Sequence, residues 1–437
     1  MNDFLKRLNV YLDSKLVGSV FDTTPLSFEY SESWLTGQNP TQLANIPLGP
    51  GRIDNDYVVA FFDNLLPEGS LREFISMQRH ASTTFSLLAA IAGDTAGGVV
   101  ILPPGEEPGQ DGYEVVSWQQ LGKLLQGEQG FVAANIKAKD ARVSLSGVQD
   151  KTLIHIDSTG NPQLPQGTSP SSHILKPNIR RIQEVWESAA NETAIMRTAE
   201  KCDLPTAKVF YQIDTQACIV ERFDRYKLPG ENRLRRQIQY DLCQLNGTAS
   251  EKKYEAEGGP GIARCAELIR KYSTSPGVDL RNFVSWIFFN LYVGNNDCHA
   301  KNVSLMACRD SAVRLTPFYD LMCTRIYPNL ARKFAYRIGG EDEPGKITTD
   351  HVMEMAKQLR LGTNFVLSLA REMSDNIVPA LERAVEEVRP TLSKSGAVLA
   401  QRLVGEVNGI TRGLRKRIFP DSLAAGGAGK KISAKNG

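Results

Sequence analysis

The chain has 437 residues, 41% of them hydrophobic and 23% charged, with a formal net charge of +2. That length exceeds one ordinary core and predicts two or three subdomains, and near-neutral charge argues against wholesale nucleic-acid binding while leaving room for a local basic patch. The seven cysteines (Cys202, Cys218, Cys243, Cys265, Cys298, Cys308 and Cys323) are odd in number and form no CxxC. They read as reduced thiols of a cytosolic protein, without a zinc site or disulfide framework. No apolar run approaches the ~18 residues of a membrane span, so a cytoplasmic protein with no membrane partner is expected.

The opening MNDFLKRLNVYLDSKLVGSV has charges throughout and is not a signal peptide. Leu8, Val10 and Leu12 alternate, Asp13-Ser14-Lys15 offers a turn, and Leu16 to Val20 resumes, which predicts a hairpin that Phe28 and Tyr30 extend. The spacing Val59, Phe62, Leu65, Leu66 suits a helix stopping near Pro67, followed by helices over Leu71 to Met77 and Thr83 to Ala92. VVIL then reads as a strand before an acidic, glycine-rich loop. Nothing in residues 1–130 has catalytic grammar. The pair Asp63-Asn64 is expected to be structural, and the whole stretch an accessory α/β subdomain.

Residues 131–236 carry the first chemistry. RVSLSGVQDKTLIHI predicts a hairpin whose tip, Ser144-Leu145-Ser146-Gly147, is small and polar enough for backbone N–H groups to approach phosphate, although an ordinary β-turn has the same composition. Neither a GxxxxGK[ST] nor a GxGxxG loop is present. SSHILKPN predicts a strand with Lys176 on one face, either an inward phosphate-binding lysine or a solvated edge lysine. Glu192 lies 16 residues on, in the middle of a helical stretch. It can pair with Lys176 or face solvent. KVFYQI and ACIVERFDRY are two further strands, the second ending at Glu221-Arg222-Phe223 where a hinge to a helical half belongs.

Residues 237–420 read as a helical lobe, with helices at IQYDLCQLNG, ARCAELIRKYS, Phe283 to Val293, Val352 to Leu361, Asn364 to Met373, Asn376 to Arg389 and Ser395 to Ile418. Gly294 is placed to end the buried Phe283 helix. After it comes GNNDCHAKNVSLMACRDSAVRLTPFYD, in which Asn302 follows Asp297 by five positions and Asp320 precedes a short apolar run. Phosphoryl transfer needs a carboxylate to take the proton of the attacking hydroxyl, and an amide oxygen plus a second carboxylate to hold Mg²⁺ against the phosphates. A D-x4-N spacing lets one tight loop aim the first two at one point. Alone, the same residues also describe a polar loop that caps a helix. The last helix ends in the basic RGLRKR, suited to its dipole, to an acidic partner or to plain solvation, and residues 421–437 lack core-forming residues and are expected to be disordered.

Taken together, SLSGVQDK, SHILKPN, the Asn-Glu of the next helix, VERFDR, KYEAEGGPGIA, NDCHAKN and LTPFYDL, with FFDNLLPE nearer the N-terminus, resemble the HipA family of serine/threonine-protein kinase toxins, in the family's order and over nearly the whole chain. The resemblance implies an α+β fold of two lobes like a protein kinase, with a mainly antiparallel sheet in an α/β N-terminal part and an all-helical C-terminal lobe. It implies ATP and Mg²⁺ as cofactors, with Asp297 as catalytic base, Asn302 and Asp320 as Mg²⁺ ligands and Lys176 on the phosphates. Glu221 and Phe223 become the adenine hinge, Gln239 and His299 further nucleotide contacts, and Ser144, Leu145, Ser146 and Gly147 the phosphate loop. Ser144 is then the autophosphorylated serine, with Ser146 as its competitor. The implied partners are a HipB-like helix-turn-helix antitoxin, operator DNA mainly through that antitoxin, and a protein substrate such as glutamyl-tRNA synthetase, and the implied outcome is growth arrest and persistence. Two positions depart from the family: Ser146 stands where alanine is common, and Cys298 where glycine is common. Two other readings share part of this pattern. One is a small-molecule kinase of the aminoglycoside-phosphotransferase type, and the other a catalytically silent corepressor that tethers the antitoxin.

Overall fold

Strand β1 (Arg7–Leu12) turns at Asp13, which adopts a left-handed φ of 53°, into β2 (Lys15–Phe21). The expected alternation holds: Leu8, Val10 and Leu12 face the main core, and Tyr11 lies on the opposite face with Val100 and Leu102, while a bulge shifts the pairing register between Val10 and Tyr11. With β3 (Ser27–Tyr30), β4 (Arg52–Ile53) and β5 (Val99–Leu102) these strands form an antiparallel sheet ordered β4-β3-β2-β1-β5. The helices Asp56–Asp63, Gly69–Arg79 and Thr84–Ile91 lie in the same part of the chain. Asp63 accepts from Ser250 and Arg72, and Asn64 donates to the Thr248 carbonyl, so both are structural ties to the C-terminal lobe.

The computed structural model describes residues 6–91, 93–109, 112–126, 151–180, 182, 184–231, 233–308 and 312–420. The Ser144–Gly147 loop and the tail 421–437 therefore lie outside the described residues. The second sheet is also antiparallel, ordered β10-β11-β9-β7-β8-β6 from β6 (Tyr113–Val115), β7 (Thr152–Ile156), β8 (Pro162–Pro165), β9 (His173–Pro177), β10 (Val209–Gln212) and β11 (Ala217–Glu221). On β9, Leu175 packs under the helix Trp118–Gln126, among Leu121, Ile154 and Ile219. The period-two alternation of a strand turns Ile174 and Lys176 to the other face, where they line a cavity.

The C-terminal lobe is built round the helix Pro276–Val293, in which Phe283, Trp286, Ile287, Phe288, Phe289 and Tyr292 are all completely buried. A helix apolar on every side belongs inside a lobe, and here Ile262–Tyr272, Thr363–Val388 and Lys394–Ile418 pack round it. The two helices expected at 364–373 and 376–389 are one, Thr363–Val388, with Pro379 inside it. The buried stripe Leu369, Met373, Ile377, Leu381, Val385 runs unbroken through the polar Asp375-Asn376, and its burial outweighs the backbone hydrogen bond that Pro379 removes.

IQYDLCQLNG is likewise split. Gln239–Asp241 is strand β14, following the hairpin β12 (Arg225–Lys227) and β13 (Leu234–Arg236), and only Leu242–Asn246 is helical. Asp241 is the N-cap, with Gln244 completing a capping box, and an N-cap must keep an extended backbone. β14 pairs with β15 (Ser304–Ala307), and β15 with β16 (Val313–Leu315), so a small three-stranded sheet sits within the helical lobe beside the D-x4-N loop. No disulfide joins the seven cysteines, and no described helix is long and apolar enough to cross a membrane.

Candidate active site

The helix Pro276–Val293 ends at Gly294, whose φ of 72° is open to glycine at little cost and where a Cβ would lie 2.7 Å from Arg325 and Ile410 side-chain atoms. The chain is thereby turned sharply into the loop that holds Asp297 and Asn302. Side-chain hydrogen bonds lock that loop. Asn295 Nδ2 donates to Asn290 Oδ1 at 2.7 Å, the Asn296 backbone N–H donates to Thr324 Oγ1 at 2.8 Å, and Asn302 Nδ2 donates to the Asp297 carbonyl at 3.1 Å. The last of these commits the Asn302 amide nitrogen to the backbone and leaves its oxygen as the atom suited to a cation. Cys298 is wholly buried in the core and is not part of the cavity wall.

Lys176 and Glu192 meet as the strand-and-helix pairing allowed. Nζ lies 2.6 Å from Glu192 Oε1 on the helix Ser188–Lys201, and 2.7 Å from Asp320 Oδ1. Asp320 arrives by a different route. The segment before it bridges to Thr206 through Phe318, and the hydroxyl of Tyr319 donates to the Lys301 carbonyl at 2.8 Å. Asp320 itself has φ of 60°, a left-handed conformation that costs a non-glycine residue free energy and persists here with its carboxylate held by Lys176. Burial alone would raise the Asp320 carboxyl, but Lys176 outweighs it and holds it at about 2. The same two carboxylates hold the Lys176 ammonium above its usual range against the opposing effect of burial.

These groups line a cavity of about 800 Å³. Asp297, Asn302, Asp320, Lys176, His299, Gln239, Glu221 and Phe223 all reach its wall, so every expected site residue that the structure describes is brought together. Glu221 and Phe223 stand at the end of β11, with the Phe223 ring 5.7 Å from that of Tyr319. His299 is buried and lies 3.9 Å from Asp297 Oδ1. Burial lowers its imidazole to about 4, against the opposing pull of Asp297, so the ring is neutral at physiological pH.

Four of the wall residues have a buried polar atom without a hydrogen-bond partner among the described residues: Asn64 Oδ1, Gln239 Oε1, Asn296 Oδ1 and His299 Nδ1. Buried polar atoms are seldom left so, and orphans on a cavity wall fit a polar ligand. The oxygen donors offered by Asn302 and Asp320 are those that a hard divalent cation prefers. The residues present thus fit a magnesium nucleotide.

Several wall residues had no role in the sequence reading. Glu68, at the end of the FFDNLLPE run, reaches in from the N-terminal part. Its carboxylate binds Lys301 at 2.5 Å and Lys253 at 2.7 Å. Burial opposes its ionisation, yet the two ammonium groups hold it at about 2. Tyr254, in KYEAEGGPGIA, donates its hydroxyl to Asp297 Oδ1. The only signal for either was the occurrence of their motifs in the family pattern. The VERFDR motif acquires a second role as well. Arg222, Asp224 and Arg225 join Asp94 and Arg236 in a buried ionic cluster that ties the N-terminal part to the segment that follows β11.

Comparison with known proteins follows the same lines. Residues 143–385 match the HipA-like C-terminal domain, and residues 8–102 the HipA N-terminal domain. The chain is 32% identical over 403 residues to "Putative kinase Y4mE" of Sinorhizobium fredii, covering 87% of this chain and 92% of that protein. It is 27% identical over 405 residues to "Serine/threonine-protein kinase toxin HipA" of Shewanella oneidensis, covering 88% and 90%. A solved complex from Shewanella oneidensis, of HipA, HipB and operator DNA, superposes with a TM-score of 0.79 at 25% identity, over 93% of this chain and 96% of that one. With both domains matched, most of its length shared and the fold superposed, the chain belongs to the HipA family of serine/threonine-protein kinase toxins.

Proposed function

We propose that this kinase moves the γ-phosphoryl group of ATP to a serine hydroxyl of a protein, with Asp297 as the base. The observation that carries the reading is the pairing of Lys176 with both Glu192 and Asp320 on the wall of the cavity that also holds Asp297 and Asn302. The serine oxygen attacks the γ-phosphorus, its proton passes to Asp297, and the bond to the departing ADP breaks. Lys176 holds the phosphates, the backbone at Glu221 and Phe223 receives the adenine, and Gln239 and His299 turn their orphan atoms to the nucleotide. Asn302 and Asp320 hold Mg²⁺, which when bound neutralises phosphate charge.

The family resemblance extends the proposal. Ser144 is the autophosphorylated serine of the phosphate loop Ser144-Leu145-Ser146-Gly147, with Ser146 as the competing acceptor. A charge of about −1.5 to −2 added there repels the triphosphate and switches the enzyme off. The protein substrate is one such as glutamyl-tRNA synthetase. The partners are a HipB-like antitoxin and, through it, operator DNA, as in the Shewanella complex, and the site of action is the cytoplasm. Incubation with labelled ATP and Mg²⁺, alone, with glutamyl-tRNA synthetase or with an aminoglycoside, tests the reading by mass spectrometry of the labelled species. Label on a synthetase serine and on Ser144 is expected. Label on an aminoglycoside but on no protein would replace the reading with a small-molecule kinase.

The metal assignment has its own consequence. Asp320→Ala should weaken Mg-ATP binding more than Asn302→Ala does, by about tenfold or more, because a carboxylate offsets cation charge and an amide does not. Calorimetric titration with and without Mg²⁺ reads the difference. Wild-type Mg-ATP affinity in Asp320→Ala would place the ligand elsewhere.

A further inference from the structure

Asp297 Oδ1 already receives a hydroxyl, that of Tyr254. The phenol reaches it from a turn with little freedom. Gly259 N–H and Glu257 N–H both donate to the Tyr254 carbonyl, at 2.9 and 3.0 Å, and Gly258 sits at φ of 90°. A Cβ at Gly259 would lie 2.4 Å from the Lys252 backbone carbonyl oxygen, so this glycine is required for the turn to close. On one side Lys253 is anchored to Glu68, and on the other Glu255 accepts from the Arg337 backbone at 2.8 Å. The Tyr254 ring meets His299 edge-on at 5.1 Å, and Tyr254, Ala256 and Glu257 form the cavity wall beside Asp297.

We propose that Tyr254 is a specificity-determining residue which occupies the acceptor position on Asp297, keeps water out of it, and yields it to a protein hydroxyl. The proposal rests on the reading of Asp297 as base. A water at that position would lose a proton to Asp297, form a bond to the γ-phosphorus as the bond to ADP breaks, and release inorganic phosphate without phosphorylating anything. The phenol prevents this by filling the site with a hydroxyl on a turn that cannot advance, while its half-buried side chain needs only a χ rotation to leave. Burial, and then the Asp297 carboxylate, push the Tyr254 hydroxyl above its usual range, so it stays a donor across the working pH of the enzyme.

The test uses the full chain, freshly treated with phosphatase, and γ-labelled Mg-ATP with no second protein added, and reads initial rates before the chain's own Ser144 takes phosphate. Phosphate release is followed in wild type, Tyr254→Phe, Asp297→Asn and the double variant, with thermal melting to verify folding. Phenylalanine keeps the ring and removes only the hydroxyl. Loss of a hydrogen bond to a charged group predicts a rise in ATP hydrolysis of about tenfold to a hundredfold in Tyr254→Phe, abolished in the double variant. Unchanged or slower hydrolysis in a folded Tyr254→Phe overturns the proposal, as does label on Tyr254 itself, which would make it an acceptor and not a guard. If instead Asp297→Asn hydrolyses and transfers like wild type, the base assignment fails, an outcome distinct from failure of the guard alone.

Discussion

Asp297→Asn is expected to reduce phosphoryl transfer by a factor on the order of 10²–10⁴, the usual contribution of a general base, with the fold left intact. The amide is nearly the same size and cannot take the proton of the acceptor. Little structural work falls on the carboxylate. The Asp297 side chain is 59% exposed, towards the cavity, and its contacts are the Tyr254 hydroxyl and the more distant His299 ring. The hydrogen bonds that shape the loop use the Asp297 backbone, from its N–H to Asn295 Oδ1 at 3.2 Å and to its carbonyl from Asn302, and these survive the change. Kinetics of autophosphorylation beside a thermal melt separate the two effects. Near-normal autophosphorylation would remove Asp297 from the role.

The largest effect on stability is expected at Asp94, which no catalytic reading singles out. Its carboxylate lies 2.7 Å from Arg225, 3.3 Å from Arg236 and 3.5 Å from Arg222, and takes a 2.7 Å hydrogen bond from Ser171. Asp224 is the other acid of the cluster, 2.8 Å from Arg222 and 3.0 Å from Arg225, and it accepts from the Gly97 N–H at 2.9 Å. All five side chains are at most 4% exposed. Asp94→Ala leaves three buried guanidinium groups against one carboxylate. Breaking a buried ionic group in this way costs about 3–5 kcal/mol, a large share of the stability of an ordinary domain.

The pH dependence of that loss has a definite sign. Burial opposes ionisation of Asp94, but Arg225, Arg222 and Arg236 outweigh it and hold the carboxyl well below the usual range. Its contribution is therefore complete above the ordinary carboxylate pKa and is lost only as pH falls through the depressed folded value. Chemical denaturation of wild type and Asp94→Ala should show the full gap at pH 7 and a narrowing gap in strong acid. A gap below about 1 kcal/mol at pH 7 would mean that the cluster is not a clasp.

Gly97, in the same clasp, has φ of 74°, and a Cβ there would lie 2.5 Å from the Gln239 carbonyl oxygen. The N-terminal part thus approaches strand β14, which carries Gln239, at a distance that only glycine permits. Together with Glu68 on Lys253 and Lys301, this makes residues expected to be merely accessory part of the wall and frame of the site.

What the sequence determined by itself was local chemistry and local period. Asp297 and Asn302 share one loop, so their spacing allowed a common target, although alone it also described a polar loop that caps a helix and only the accompanying motifs favoured the first. The first hairpin and strand β9 announced themselves by alternation, and the all-round apolar run Phe283 to Val293 announced a buried helix. Lys176 and Glu192, 16 residues apart, were legible as a possible pair because a strand followed by a helix has few ways to bring them together. The tertiary structure decided the rest. Tyr254 meets Asp297 across 43 residues, Lys253 meets Glu68 across 185 and Lys301 meets Glu68 across 233. At such separations no periodicity links the partners, and which charges meet depends on how whole layers pack. The same holds for the continuous Thr363–Val388 helix. Its polar Asp375-Asn376 reads as a break in isolation, and becomes one exposed turn once the helix is packed against four neighbouring helices with its apolar stripe buried.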